Sequence, residues 1–196
     1  MQRNATYGFT SRVNHWVIAA VMIGMLGFGL YLAYGELPRD ERGDLIAIHK
    51  SIGVLALGFG LWRVLWRVVR GFPAAVAGMP AWQERASKVA HWALLASVLL
   101  MPLSGVVASL FRGRPVEVFG WFTIPAQAEV TWLASLGSGI HQFAGYALVA
   151  LVVIHIAAAL KHHVYDRDPT LKRMLSSASL ARGIGDNRQG SDGLKL

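Results

Sequence analysis

The sequence predicts an all-α integral membrane protein built as a four-helix bundle. Four apolar runs are each long enough to cross a bilayer, which takes about 20 residues of helix. Only 15% of the 196 residues are charged, against about 25% in a typical soluble domain. Helices are expected for these runs because the hydrocarbon core offers no partner to an open backbone N–H or C=O group.

The four runs follow one another with short connections and form one transmembrane domain over residues 1–175. They cover residues 13–34, 45–69, 87–111 and 139–164. The segment from Gly113 to Ser138 carries Trp121, Phe122 and Trp132, which are typical of a piece lying at the level of the lipid headgroups. We expect residues 176–196, which are rich in Ser, Gly and charge, to form a disordered cytoplasmic tail.

A cleaved signal peptide is the alternative interpretation of the first run, since basic residues precede it and small residues follow it. The run is long for the apolar part of a signal peptide, and no clear A-x-A cleavage site precedes Glu36. We therefore interpret the run as the first membrane helix.

The basic residues predict the orientation of the chain. With a cytoplasmic N-terminus, 14 of the 19 lysines and arginines fall on the inner side. Both termini are therefore expected in the cytoplasm. The net charge of +8 does not indicate a nucleic-acid surface, because the basic residues flank the apolar runs instead of forming one stripe.

The histidines are the candidate functional residues. Five of them fall in or at the edge of the apolar runs, where an ionisable side chain is costly and marks a functional site by default. The alternative is a haem-free protein in which histidines hydrogen-bond neighbouring helices. The seven histidines are His15, His49, His91, His141, His155, His162 and His163.

His141 and His155 predict two stacked haem groups. They lie 14 residues apart on the fourth run, which places them about 21 Å apart along a helix and about 40° apart around it. One helix face therefore presents an imidazole near each side of the membrane. The chain has no cysteine, which excludes iron–sulfur clusters and thiolate-bound haem as features of this chain.

Each haem needs a second axial ligand from another helix at the same depth, as in other bundles. His15, at the cytoplasmic start of the first run, is level with His155, and His49, at the outer start of the second run, is level with His141. We therefore expect these to be the two ligand pairs. His91 lies near the inner start of the third run and is the rival of His15. One zinc ion cannot be bound by the four paired histidines together, because the two pairs lie at depths that are too far apart.

His162 and His163 lie at the cytoplasmic end of the fourth run. His162 follows His155 by seven residues and stays on the haem-facing side, where it is a candidate to exchange protons with a quinone. The alternative is an interfacial histidine beside the headgroups. The adjacent pair is a poor chelate, since neighbouring residues on a helix do not share a face.

Several motifs show that the chain resembles the bacterial cytochrome b561 family of four-helix di-haem proteins, over about residues 10–175. The matching stretches are S-R-V-N-H-W (Ser11–Trp16), I-H-K-S-I-G (Ile48–Gly53), H-W-A-L-L-A (His91–Ala96), M-P-L-S-G (Met101–Gly105), and G-I-H-Q-F-A-G-Y through A-L-K-H-H-V-Y (Gly139–Tyr165).

The resemblance implies two haem b groups with bis-histidine ligation by His15, His155, His49 and His141. It also implies a bacterial inner membrane location and an enzyme of the superoxide oxidase type. Such an enzyme oxidises superoxide to oxygen at the outer haem and reduces ubiquinone near the cytoplasmic haem, where His162 matches the quinone site.

The charge of the outer connections does not favour superoxide, since an anion is steered by positive potential. In the predicted topology these connections hold five basic and six acidic residues, a sum of about −1. The alternative function is therefore a non-enzymatic haem b protein or subunit that links the quinone pool to a redox protein partner.

Overall fold

The computed structural model describes residues 7–72 and 79–175. Four long helices make up most of this part of the chain, and a small two-stranded sheet and one short helix complete it. The elements are α1 (Phe9–Tyr34), α2 (Arg39–Arg70), α3 (Ala81–Leu110), β1 (Val116–Val118), β2 (Phe122–Ile124), α4 (Thr131–Val164) and α5 (Lys172–Leu175). The expected tail at 176–196 lies outside the described residues.

The four long helices confirm the predicted membrane bundle. Each contains a stretch long and apolar enough to cross a membrane, with mean hydropathies between 1.6 and 2.3. Every helix is longer than its predicted apolar run, because flanking residues continue the backbone hydrogen bonding beyond it. Pro38 and Pro80 directly precede α2 and α3, a place where a missing N–H group costs nothing.

The segment between α3 and α4 is more ordered than the aromatic surface piece expected from its sequence. β1 pairs with β2 in an antiparallel hairpin, and its turn residues Phe119 and Gly120 have φ angles of 48° and 74°. The hydroxyl of Ser51 on α2 accepts a hydrogen bond from the N–H of Phe119 at 3.3 Å. Val116 and Val118 of β1 are buried, and β1 packs on α2, so the hairpin is held against this helix.

The hairpin defines one end of the bundle, called the hairpin end below. The start of α1 and the end of α4 define the other, called the terminal end. α1 packs on α2, α2 on α3, and α3 on α4. Gly137 allows the last of these contacts, since a Cβ atom there would lie 2.9 Å from the backbone nitrogen of Ala108.

The apolar core lies midway between the two ends. Ile18 and Met22 of α1 meet Val98 of α3 and Leu148 of α4 in one buried cluster. Along α4, Leu148 of this cluster falls midway between His141 and His155. The outer helix faces are also apolar, as at Phe143, whose side chain is 76% exposed. Lipid contact accounts for such faces in a membrane bundle.

Candidate functional site

Both pairs of histidines expected from the sequence are brought together by the fold. At the hairpin end, the ring centres of His49 on α2 and His141 on α4 lie 6.2 Å apart. At the terminal end, the ring centres of His15 on α1 and His155 on α4 lie 6.4 Å apart. Two imidazoles on opposite sides of one metal ion, with metal–nitrogen distances of about 2 Å, have ring centres about 6 Å apart.

His141 has the hydrogen-bond pattern of a metal ligand. Its Nδ1 lies 2.8 Å from the carbonyl oxygen of Met101, and a carbonyl only accepts, so Nδ1 carries the proton and donates. Nε2 is then unprotonated, as a metal requires. Gly105 of α3 leaves room for the ring, because a Cβ atom there would lie 3.0 Å from Cε1 of His141.

His49 faces the same space with a buried polar atom. In the part of the chain that the structure describes, its Nδ1 has no hydrogen-bond partner, although buried polar groups in folded proteins are almost always hydrogen-bonded. His49 and His141 both line a cavity of about 550 Å³ between the helices. This volume is within the range of about 300–1,000 Å³ found for ligand pockets.

Three basic side chains also line this cavity. They belong to Lys50, Arg112 and Arg114. None of them forms an ion pair with a carboxylate of the described residues, and Arg112 Nη2 donates to the hydroxyl of Ser138 at 2.6 Å. The hairpin end therefore has a local cluster of positive charge, although its connections sum to a slightly negative charge.

At the terminal end, His91 of α3 joins His15 and His155. The ring centres of His91 and His155 lie 5.7 Å apart, and the His91 ring stacks on Phe72 at 5.3 Å with an interplanar angle of 20°. The distances place both His15 and His91 within reach of a metal ion bound to His155. The structure therefore keeps both His15 and His91 as candidate partners of His155.

His15 is also in contact with Arg63, an arginine of the second apolar run that the sequence analysis did not single out. Arg63 Nη2 lies 3.1 Å from Nδ1 of His15, and Arg63 Nη1 donates to Oδ1 of Asn14 at 2.8 Å. A guanidinium group has no acceptor, so Nδ1 of His15 accepts here. The signal for this contact was available in the sequence, because an arginine inside an apolar run needs a partner.

His162, at the end of α4, is held by two aspartates that the sequence analysis did not single out. Its Nδ1 lies 2.7 Å from Oδ2 of Asp168 and 3.0 Å from Oδ2 of Asp166. Asp166 is shared with Lys161, whose Nζ lies 2.6 Å from it. Asp168 instead accepts from the N–H of Thr170 at 2.8 Å. The neighbouring His163 is exposed.

The electrostatics of Asp168 follow from these contacts. Burial raises the pKa of this carboxyl, but hydrogen bonds from Thr170 and His162 outweigh the burial and bring the pKa below its ordinary value. Asp168 is therefore a carboxylate at neutral pH, and it fixes the orientation of the His162 ring. No spacing rule points to Asp168, since the chain reaches His162 only by turning back after α4.

Comparison with known proteins gives a consistent result. The model of the family described as "Prokaryotic cytochrome b561" matches residues 6–177. "Cytochrome b561 homolog 2" of Escherichia coli (strain K12) is 34% identical over 179 residues, covering 91% of this chain and 95% of that protein. "Cytochrome b561 homolog 1" of the same strain is 30% identical over 163 residues, covering 82% and 92%.

A third relative carries the name of an activity. "Probable superoxide oxidase CybB" of Yersinia pestis is 24% identical over 161 residues, which cover 82% of this chain and 90% of that protein.

The side chains at both ends fit the haem b that a cytochrome of this kind requires. Imidazole is the ordinary axial ligand of b-type haem iron, and both pairs have a spacing compatible with one iron between two rings. Gly105 leaves the space that the His141 ring occupies, and His49 and His141 line the same cavity. The four membrane helices, the facing histidines and the family match over most of the chain lead to one conclusion: the protein belongs to the prokaryotic cytochrome b561 family of bacterial membrane haem b electron-transport proteins.

Proposed function

We propose that the chain holds two haem b groups and carries electrons from superoxide at the hairpin end to ubiquinone at the terminal end. The observation that carries this proposal is the pair of facing histidines at each end of the bundle, with ring centres 6.2 and 6.4 Å apart. His49 and His141 would hold one haem, and His15 and His155 the other. Each haem, when bound, supplies one reversible electron-transfer step.

Ligation by two histidines restricts the chemistry to electron transfer. A haem held by one histidine pair would have no iron site open to oxygen, so the chemistry it would supply is electron transfer. The reaction then balances as two superoxide ions, one quinone and two protons giving two molecules of oxygen and one quinol. Two single-electron donors are matched to one two-electron acceptor.

The basic cluster at the hairpin end supports superoxide as the donor. Lys50, Arg112 and Arg114 line the cavity of His49 and His141. Positive charge at the mouth of a cleft raises the association rate of a small anion. The name of the Yersinia pestis relative agrees with this donor.

The His162–Asp168 pair supports quinone reduction at the terminal end. Reduction of a quinone to a quinol needs two protons as well as two electrons. The Asp168 carboxylate fixes the ring of His162 through Nδ1, which leaves Nε2 to exchange a proton with a bound quinone. In this proposal both termini are cytoplasmic, and the protein lies in the inner membrane with the hairpin end outward.

The test is a pulse of superoxide onto the purified, haem-loaded protein with excess ubiquinone. We expect rapid haem reduction followed by reoxidation by the quinone. Arg114→Gln should slow haem reduction by a few-fold and weaken its dependence on ionic strength, because one steering charge is removed. Arg39→Gln is the matched control, since it removes the same charge at the same end without lining the cavity.

Haem that superoxide does not reduce, in a protein that still exchanges electrons with quinol, would contradict the superoxide step. That result would favour a haem b protein that links the quinone pool to a redox protein partner.

A further inference from the structure

Two arginines one helical turn apart lie at the terminal end of α2. Arg63 is partly buried, and Arg67 is only 3% exposed. Within residues 7–72 and 79–175, no carboxylate forms an ion pair with either side chain. Buried charges in proteins are normally paired. The two cations at this end of the bundle therefore call for an anion.

The surroundings of Arg67 leave one of its donors unused. Nη1 donates to the carbonyl oxygen of Gly71 at 2.7 Å, and Cζ lies 5.1 Å from the ring centre of Tyr7 and 5.0 Å from that of Phe72. The two rings hold the guanidinium plane in place. Nε is buried and has no acceptor among the described residues, although a buried donor without a partner costs about 1–3 kcal/mol.

Arg63 cannot keep its present partner when His15 binds a metal. Its Nη2 donates to Nδ1 of His15 at 3.1 Å. If His15 binds a metal through Nε2, the proton is on Nδ1, which then no longer accepts; if it binds through Nδ1, that atom is occupied. In both cases Arg63 needs another acceptor close to its present position.

The arginine pair lies directly beside the terminal-end histidines. Arg63 touches His15, and the Phe72 ring that packs on Arg67 also stacks on His91. His91 is itself 5.7 Å from His155 between ring centres. A carboxylate on the arginine side of a group held between His15 and His155 can therefore reach these guanidinium groups.

We propose that Arg63 and Arg67 bind the propionate carboxylates of the haem held at the terminal end. The inference rests on the proposed haem site at His15 and His155. Haem b carries two carboxylates on one edge, and a guanidinium fork matches a carboxylate with two parallel hydrogen bonds. A lysine cannot supply this planar fork and would not stack in the same way between Tyr7 and Phe72.

The test compares Arg63→Gln, Arg67→Gln and Arg67→Lys with the wild type in the purified full-length protein. Haem content and the midpoint potential of each haem are measured. We expect the glutamine variants to lose part of the terminal-end haem and to shift the potential of the remainder downward, because a cation that favours the reduced iron is gone. Arg67→Lys should recover the charge effect only in part.

Two internal references separate a binding effect from misfolding. The hairpin-end haem should keep its occupancy and potential in every variant. Arg70→Gln is the matched control, because Arg70 lies at the exposed end of the same helix and stacks on Trp66 instead. An effect of Arg70→Gln as large as that of Arg67→Gln would overturn the proposal.

A second arm replaces haem by its dimethyl ester, which has no free carboxylate. Arg67→Gln should weaken the binding of haem but leave the binding of the ester unchanged. Equal losses for both would show that the arginines do not act through the propionates. The variants are also compared in nanodiscs with and without anionic phospholipid. If the effect of the variants appears only with anionic phospholipid, a lipid phosphate is the ligand and the proposal is wrong.

The outcomes also distinguish this inference from the proposed function. Two haems in the wild type with unchanged content and potential in Arg63→Gln and Arg67→Gln would overturn the arginine site alone. A wild-type protein without a terminal-end haem would overturn the proposed function, and the arginine site with it.

Discussion

Whether an imidazole is ready to bind iron depends on the partner of its other nitrogen. His141 donates from Nδ1 to the carbonyl of Met101 and is ready to bind through Nε2. His15 instead accepts at Nδ1 from Arg63 and must exchange that partner. His141 at the hairpin end is therefore already arranged to bind iron, whereas His15 at the terminal end must first change its hydrogen-bond partner.

The proton-handling role of His162 is tested by Asp168→Asn. Without the carboxylate, the ring is no longer held by a charged acceptor at Nδ1. General acid–base catalysis contributes about 10²–10⁴-fold, so we expect quinone reduction to slow by roughly tenfold or more while both haems stay bound. Stopped-flow reoxidation of the reduced protein by ubiquinone measures this.

His162→Ala should behave in the same way, and His163→Ala should not, because His163 is the exposed neighbour. Asp166→Asn should have the smaller effect of the two aspartate variants, since Asp166 is shared with Lys161. Quinone kinetics that are unchanged in both Asp168→Asn and His162→Ala would remove this pair from the mechanism.

The same aspartate gives a stability effect with a definite sign. Because the pKa of Asp168 in the folded protein is below its ordinary value, its contribution to folding is present above the ordinary pKa. The contribution is lost as the pH falls through the lowered value. The melting temperatures of wild type and Asp168→Asn should therefore converge in acid, and a gap that widens there would contradict this assignment.

At the scale of the elements, α4 carries one histidine of each pair, so its packing on α3 fixes both sites. Gly137 lies one turn before His141 at the closest approach of these helices. An added Cβ would lie 2.9 Å from the nitrogen of Ala108 and 3.0 Å from the oxygen of Ser104. Both are backbone atoms, which cannot move aside as a side chain can.

We therefore expect Gly137→Ala to destabilise the protein by about 1–3 kcal/mol, the usual cost of overpacking, and to loosen the hairpin-end haem. Thermal unfolding and haem retention during gel filtration measure the two effects. Gly139→Ala is the matched control, because an added Cβ there meets no atom of residues 7–72 or 79–175 within 4 Å. Equal behaviour of the two variants would show that the α3–α4 approach does not position His141.

The elements also show what the sequence could predict. The period of the α-helix was enough to place His141 and His155 on one face, and depth alone was enough to pair His49 with His141. The helix ends were not predictable from hydropathy, because polar stretches such as Arg39–Asp44 continue a helix without changing its apolar run. The hairpin also escaped prediction, since its strands have only three residues each.

Contacts that depend on how the chain turns beyond a helix, or on how the helices pack, were the part that pattern analysis could not reach. Asp168 meets His162 only after the chain turns back beyond α4. Depth alone makes Arg67 one of several candidate partners of a haem propionate on the cytoplasmic side, but its burial against Tyr7 and Phe72 depends on tertiary packing. Helical periodicity predicts the helix face on which a residue lies, but not which other element packs on that face.

At the scale of the whole molecule, electrons cross the membrane in one direction only if every copy of the protein has the same orientation in the membrane. The distribution of lysine and arginine predicts cytoplasmic termini. Because the chain has no cysteine, single cysteines can report the side of each end. In spheroplasts, an impermeant maleimide should label Thr123→Cys on the hairpin and should not label Lys172→Cys on α5. The reverse pattern would place the basic cluster in the cytoplasm and contradict the proposed superoxide side.

The proposed electron path needs one haem bound at each end of the bundle, so haem content is the most direct measurement. The purified protein should contain about two haems per chain by pyridine hemochrome assay. Alanine at His15, His49, His141 or His155 should remove one haem each, with the hairpin-end haem lost from the His49 and His141 variants. His91→Ala should keep both. A wild-type ratio near one or zero, or loss of the terminal-end haem from His91→Ala but not from His15→Ala, would contradict the assignment.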